Sequence, residues 1–283
     1  MEDASNAPKF HLDRSRYGEA LLQWFTDSHT DHKNIAIGEI DIPVATGFSN
    51  ETVFFNISSD TEEGKHEGRY VARIEPEDGG MFPVQTPECE ISVALQQRVM
   101  KTVQSASDVP LPLIGRIQPS TYLGLPFFVM THIDGKIPSD RPRYTEEGFV
   151  VDEATDVQRK QMVQTGLEAM AGIHQIDWEL ADLHWLNPCD GKPTQAKQIE
   201  IYRNYVEKEL DGREHPVMMF ALDWLEKNDP KDERIGLSWG DARLGNIIWQ
   251  DYTPAAVVDW EACALSPTEA DLGWWLMFDR MSF

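Results

Sequence analysis

Cysteine, basic residues and long apolar runs are all scarce in this chain of 283 residues. Its three cysteines, Cys89, Cys189 and Cys263, are odd in number, far apart and outside any C-x-x-C. That excludes a disulfide framework and a zinc knuckle and leaves reduced, structural thiols. No run of 18 apolar residues is present, and the start MEDASNAPKF is acidic and polar, unlike a signal peptide. The expected location is therefore the cytoplasm. Lys and Arg number 25 against 48 Asp and Glu, a net charge of −23. Nucleic acid and anionic membrane are themselves polyanionic, so neither is an expected partner. A solubilising acidic surface fits that charge, and so does steering of a cationic small molecule. G-x-G-x-x-G and A-P-E are missing too, so a protein kinase proper is disfavoured. With 41% apolar and 26% charged residues, the chain is globular and long enough for two lobes with their own cores.

The chemistry-bearing residues concentrate in LSWGDARLGNIIWQDYTPAAVVDWE. Asp241, Asn246 five residues on and Asp259 eighteen after Asp241 have the layout that phosphoryl transfer from ATP needs. The first acid takes or orients the proton of an attacking hydroxyl, while the amide and the second acid hold magnesium against the nucleotide phosphates. Arg243 can add positive charge where the transferring group gathers negative charge. The segment predicts a loop from Gly240 to Asn246, a strand Ile247 to Trp249, a turn at Asp251 to Pro254 and a returning strand Ala255 to Val258, which delivers Asp259 back to Asn246. D-x-x-x-x-N alone also describes a surface turn. Here Trp239, Leu244, Ile248 and Trp260 crowd it, which places the carboxylates at the rim of a core.

WGDARLGN, VVDWE and ALSPTEADLGWW together resemble the signature of the aminoglycoside phosphotransferase and choline kinase-like family, from about Ile40 to the last residue. The likeness is closest to an actinobacterial branch whose loop reads Trp-Gly-Asp. It implies an α+β, protein kinase-like fold of two lobes. Residues 1–134 would form a nucleotide-binding lobe with an antiparallel sheet and a hinge, and 135–283 a helical catalytic lobe, shortened at its C-terminus relative to the family. It further implies ATP, with GTP as the alternative donor, and Mg2+. The acceptor would be a small-molecule hydroxyl, with aminoglycosides or other amino sugars favoured over choline-like alcohols, macrolides or an undescribed metabolite, and the protein a monomer or homodimer. By position, Asp241 becomes the base, Asn246 and Asp259 the magnesium ligands, Asp271 a structural acid and His174 a structural helix-end residue. Trp239 and Arg243 each stand where most members have His. A nucleotide-binding pseudokinase acting as an interaction module is the alternative from another class.

Upstream, Leu12 to Thr26 has helical spacing and predicts a helix outside the smaller lobe. Two strand-like runs flank ATGFSNE, whose Gly47, Phe48, Ser49 and Asn50 match the family's phosphate-covering loop; as local sequence they equally describe a hairpin turn. In RYVARIE, Arg73 matches the position that meets the α- and β-phosphates, with Arg in place of Lys. Its expected partner is Glu90 at the start of the helix ECEISVALQQRVM, with Glu88 as competitor. The strand Phe127 to Met130 leads into Thr131, His132 and Ile133. These fit a hinge whose backbone meets the adenine edge while Met130 stacks on the ring, though an ordinary edge strand would read alike. The H-x-x-H pair His29 and His32 has no matching acid and is assigned no metal. Farther on, Asp156 to Ile176, Ile199 to Leu210 and Val217 to Glu226 predict amphipathic helices, with Trp178, Trp185 and Trp224 as core anchors. The irregular stretch Asp134 to Asp152 is a candidate gate for the acceptor.

Overall fold

The computed structural model describes residues 13–43, 50–77, 79–230 and 234–282. The chain separates into two compact units. The first comprises Met1–Met81, Glu90–Lys101 and Pro112–Ile133, and the second Phe82–Cys89, Thr102–Leu111 and Asp134–Phe283. No helix among the described residues is long and apolar enough to cross a membrane.

The first elements in chain order are α1 (Tyr17–Ser28), β1 (Lys33–Ile37), β2 (Glu51–Thr61), β3 (Gly64–Ile74), α2 (Ser92–Ala106), β4 (Ile114–Gln118) and β5 (Phe127–Thr131). The strands form one antiparallel sheet in the order β1-β2-β3-β5-β4. Its longest ladder, β2 with β3, runs in unbroken register from Glu51↔Ile74 to Thr61↔Gly64. Gly64 closes this hairpin at φ +124°, a conformation that a side chain would strain. Alternate β2 residues Val53, Phe55 and Ile57 point to one face and bury against Tyr17, Leu21, Trp24 and Phe25 of α1. The helix expected outside the lobe is thus one wall of its core, because its apolar stripe has the sheet to cover.

The second unit adds α3 (Phe149–Asp152), α4 (Asp156–His174), α5 (Gln195–Leu210), α6 (Pro216–Lys227), β6 (Ile235–Ser238), β7 (Ile247–Gln250), β8 (Thr253–Val257), β9 (Ala264–Pro267) and α7 (Glu269–Ser282). Two antiparallel ladders, β6 with β9 and β7 with β8, lie among these helices. A capping box starts α4: the Thr155 hydroxyl accepts from Gln158 N–H and the Gln158 side chain accepts from Thr155 N–H. Pro216 opens α6, whose first turn is capped by His215. Of the tryptophans expected as anchors, Trp224 is 54% exposed, since α6 buries only Leu222.

The buried stripe of α4 is Met162, Gly166, Met170 and Ile173, whereas apolar periodicity alone predicts Val163, Leu167, Met170 and Ile173; Val163 is 38% exposed. Gly166 sets this rotation. A Cβ there would lie 2.6 Å from Trp275 of α7 and 3.3 Å from Trp249 of β7, so only glycine lets the helix approach both rings. Gly166→Ala sets a helix-propensity gain of about 1 kcal/mol against an overpacking cost of roughly 1–3 kcal/mol. Overpacking wins, because Trp275 is buried and cannot swing away. Calorimetry of Gly166→Ala should show Tm falling by about 2–4 °C; a rise would mean that the ring gives way.

Candidate active site

The loop after β6 is held by one acid. Asp271, near the start of α7 and only 1% exposed, accepts from Ser238 Oγ at 2.7 Å, Trp239 N–H at 2.7 Å, Gly240 N–H at 2.8 Å and His174 Nε2 at 2.8 Å. Four donors satisfy a carboxylate that would otherwise be costly to bury. Gly240 has φ +90°, and a Cβ on it would sit 2.1 Å from the Ala262 carbonyl oxygen, so the turn into Asp241 admits only glycine. Trp239 is fully buried, and its indole N–H donates to the carbonyls of Val258 at 3.0 Å and Asp259 at 3.2 Å. Trp239 thus ties the loop to the segment that carries the second acid.

The hairpin forms with a tighter turn than its sequence predicts, because Thr253 and Pro254 pair within β8. Asp251 and Tyr252 both take positive φ, 47° and 60°, as a two-residue turn of the hairpin-compatible hand requires. Ile247 pairs with Val257, and Val258 N–H then donates to the Asn246 carbonyl at 3.0 Å. Asp259 follows with φ +64°. The Asn246 side-chain N–H2 donates to the Asp241 carbonyl at 3.0 Å and to Asp241 Oδ2 at 2.6 Å. Its amide nitrogen is thereby committed, and its Oδ1 is turned away from Asp241. An amide oxygen and a carboxylate form a hard donor set that fits Mg2+, which keeps water and phosphate as its other ligands and needs no protein cage. Among the described residues, no group of three His, Cys, Asp or Glu is disposed to hold a metal.

Arg243 was expected to place charge near the phosphoryl group. In the structure its Nε donates to Asp241 Oδ1 at 3.2 Å and Oδ2 at 3.1 Å, Nη1 donates to Asp140, and the guanidinium lies 5.2 Å over the Phe278 ring. Burial alone would lower its pKa, but the Asp241 and Asp140 carboxylates outweigh it and hold the guanidinium above its ordinary value. Asp140 lies in the stretch singled out as a gate, so that stretch is tied through Arg243 to Asp241. A further contact was not foreseen: Trp274 Nε1 donates to Asp241 Oδ1 at 2.6 Å. Its sequence signal is the spacing from Asp271, three residues and one helical turn.

In the first unit, Gly47, Phe48 and Ser49 lie outside the described residues. Asn50 is buried and donates through Nδ2 to Ser92 Oγ at 3.0 Å. Arg73 Nη1 donates to Thr52 Oγ1, its cross-strand neighbour, at 2.6 Å. The acid that meets the start of α2 is Glu75, from the end of β3. It accepts from the N–H groups of Ser92 at 3.0 Å and Val93 at 2.8 Å, satisfying donors of the first turn. Glu90 is exposed two residues ahead of that helix. Met130 is half-buried and pairs with Val71 and Ile114. The Thr131 N–H donates to the Leu113 carbonyl, its hydroxyl accepts from Leu113 N–H, and His132 N–H donates to the Arg69 carbonyl, each at 2.9 Å. Sheet pairing therefore uses the Thr131 N–H expected at the adenine edge, and Ile133 follows it.

A sequence model of the Phosphotransferase enzyme family matches residues 42–282. The chain belongs to that family. Among solved structures it is similar to a Ralstonia eutropha protein provisionally assigned as an aminoglycoside phosphotransferase, at 22% identity and TM-score 0.62 over 92% of this chain and 69% of that one. It is also similar to macrolide 2'-phosphotransferase MphH from Brachybacterium faecium, at 16% identity and TM-score 0.54 over 92% and 83%. A third is aminoglycoside phosphotransferase APH(4)-Ia with ADP and hygromycin B, at 13% and TM-score 0.57 over 92% and 80%. These likenesses show the fold, α+β and kinase-like as expected. Curated relatives include acyl-CoA dehydrogenase family member 10 of Mus musculus, 25% identical over 183 residues, 62% of this chain and 16% of that protein. Family member 11 of Gallus gallus is 27% identical over 190 residues, 65% of this chain and 22% of that protein. The chain spans about a quarter or less of the length of the curated relatives it matches.

The anchor generates a stability test. In Asp271→Asn one oxygen becomes N–H2 and faces a donor, leaving at least one buried N–H unsatisfied at a cost of roughly 1–3 kcal/mol. Urea unfolding of this variant should show a loss of at least about 1 kcal/mol, and an unchanged midpoint would show that the four-donor cluster is not what holds the loop.

Proposed function

We propose that this protein is an ATP-dependent phosphotransferase that moves the γ-phosphate to a hydroxyl of a small molecule, with an aminoglycoside or other amino sugar as the leading acceptor. The observation that carries this reading is the assembly of Asp241 and Asn246 by direct hydrogen bonds, with Asp259 one residue beyond the Val258–Asn246 backbone bond. Family membership supports the reaction class. The Trp-Gly-Asp form of the loop is consistent with an actinobacterial branch, GTP is the alternative donor, and the expected setting is a cytoplasmic monomer or homodimer.

In this reading the acceptor hydroxyl gives its proton to Asp241. Its oxygen bonds to the γ-phosphorus as the bond to the β,γ-bridging oxygen breaks and ADP leaves. Asn246 and Arg243 orient the Asp241 carboxylate. Magnesium, held by Asn246 Oδ1 and the Asp259 carboxylate, would supply neutralising charge to the nucleotide phosphates when bound. Gly47, Phe48, Ser49 and Asn50 are assigned to those phosphates, Arg73 offers its fork to them with Glu90 as its partner, and Glu75 fixes the start of α2. Met130 stacks on the base, and Ile133 supplies the N–H for the adenine edge beside Thr131.

Acceptor identity divides on two observations. A net charge of −23 favours amines over anions. Relatives named as acyl-CoA dehydrogenases, of which the chain covers a quarter or less, favour a hydroxyl on an acyl chain. A phosphate-transfer screen with magnesium and ATP over amino sugars, macrolides, choline-like alcohols and hydroxyacyl compounds decides between them. Failure to phosphorylate any acceptor while binding nucleotide would favour a pseudokinase.

Two substitutions separate binding from chemistry. Calorimetry of Asp259→Asn should show the magnesium dependence of ATP affinity largely gone; unchanged binding of the metal-nucleotide complex would remove Asp259 from the site. Asp241→Ala should keep ATP affinity within about threefold while turnover falls by roughly 10²-fold or more, the contribution of a positioned base. Retained turnover would remove Asp241 from catalysis.

A further inference from the structure

We propose that Trp274 occupies the acceptor's place on Asp241, so that ATP is not spent on water while the site waits for its acceptor. The inference rests on the phosphotransferase reading above and assigns that site its guard. A base must accept its proton at hydrogen-bond distance, and here both Asp241 oxygens already accept from the protein. Oδ2 takes Asn246 Nδ2 and a share of Arg243 Nε; Oδ1 takes Trp274 Nε1 at 2.6 Å and the other share of Arg243. These three N–H groups take most of the roughly four acceptor sites of the carboxylate, so an acceptor hydroxyl competes with them for Asp241.

Trp274 is the one that can leave. Asn246 is also bonded to the Asp241 carbonyl, and Arg243 is held by Asp140 and lies over Phe278. Among the described residues the Trp274 indole makes this one hydrogen bond; it is 39% exposed and lies tilted at 51° against Phe278 with centroids 5.3 Å apart. The backbone under it does not move, because Asp271 one turn earlier pins α7 to the loop. Displacement is therefore a side-chain rotation, fast compared with turnover. A lone water brings no other contact to offset loss of the tethered indole, whereas an acceptor bound along the rest of its surface does. Without the indole, a water on Oδ1 would give its proton to Asp241 as its oxygen bonds to the γ-phosphorus and ADP leaves, producing phosphate.

Trp274→Phe keeps the ring and removes the donor; Trp274→His keeps a ring donor. With no acceptor present, Trp274→Phe should release ADP from ATP on the order of tenfold faster than the parent, in line with loss of one charge-assisted hydrogen bond. Trp274→His should remain closer to the parent, and calorimetric ATP affinity and Tm should match across all three proteins. Parent-level hydrolysis in a folded Trp274→Phe overturns the guard. So does slower hydrolysis with a lowered Tm, which marks a structural role. If Trp274→Phe does not fold, the parent still decides: among its 15N-labelled indole signals, one should move in Asp241→Asn, and no movement overturns the contact. The extra hydrolysis should vanish when Asp241→Ala is added to Trp274→Phe; its persistence, or absence of ATP binding by every variant, overturns the phosphotransferase reading itself.

Discussion

A single buried carboxylate, Asp271, fixes the geometry on which the candidate site depends. Desolvating it would cost several kcal/mol if its oxygens were left bare, so its four donors must come with it. Those donors belong to the end of β6, the turn that follows and the last residue of α4, while Asp271 itself begins α7. Three elements distant in sequence are thus referred to one point. From that point the positions of Asp241, two residues past Trp239, and of Trp274, one turn along α7, both follow.

The same device recurs in the first unit. Glu75 accepts the first N–H groups of α2, and Glu51 accepts from the Tyr17 hydroxyl and from Arg14, fastening α1 to the start of β2 beside Asn50. Burial, reinforced by the Glu51 hydrogen bond, pushes the Tyr17 hydroxyl well above its ordinary pKa, so it stays protonated and keeps donating. Most of the 48 acids make a solvated surface. A handful are buried, and each of those three gathers donors from separate elements.

What could be read from the sequence follows the range of each interaction. The β7–β8 hairpin was legible because turn chemistry and strand alternation are local, and so were α4 and α6 to within two residues; α5 begins at Gln195, four residues before the expected Ile199, because its first turn is mostly polar and carries no periodic signal. The buried face of α4 was missed by one residue because glycine carries no hydrophobic weight in a periodic pattern, yet at Gly166 the missing Cβ is what admits Trp249 and Trp275. Glu75 as acceptor for the first turn of α2 was not legible, because helix-start acids are sought beside the helix, whereas this one arrives from the end of β3. The bond of Asn246 to Asp241, five residues apart, follows local spacing. The surroundings were not legible: Arg243 with Asp140 spans 103 residues with no local pattern to encode it, and Trp274 with Asp241 spans 33, signalled only by Trp274 standing one turn after Asp271.

Charge closes the account of the site. A chain of net charge −23 repels a nucleoside triphosphate at long range, but salt screens exposed charges beyond about 8–10 Å. Only groups close to the phosphates then decide, and on the reading proposed here they are Arg73 and magnesium. Arg243 cannot be counted with them while two carboxylates hold it, since Asp241, Asp140 and Arg243 together carry a net negative charge. That imbalance favours an acceptor that brings a cation of its own. An amine able to pair with Asp140 would offset that charge while Arg243 stays on Asp241, so the acceptor that best balances the site is one whose cation and hydroxyl arrive together.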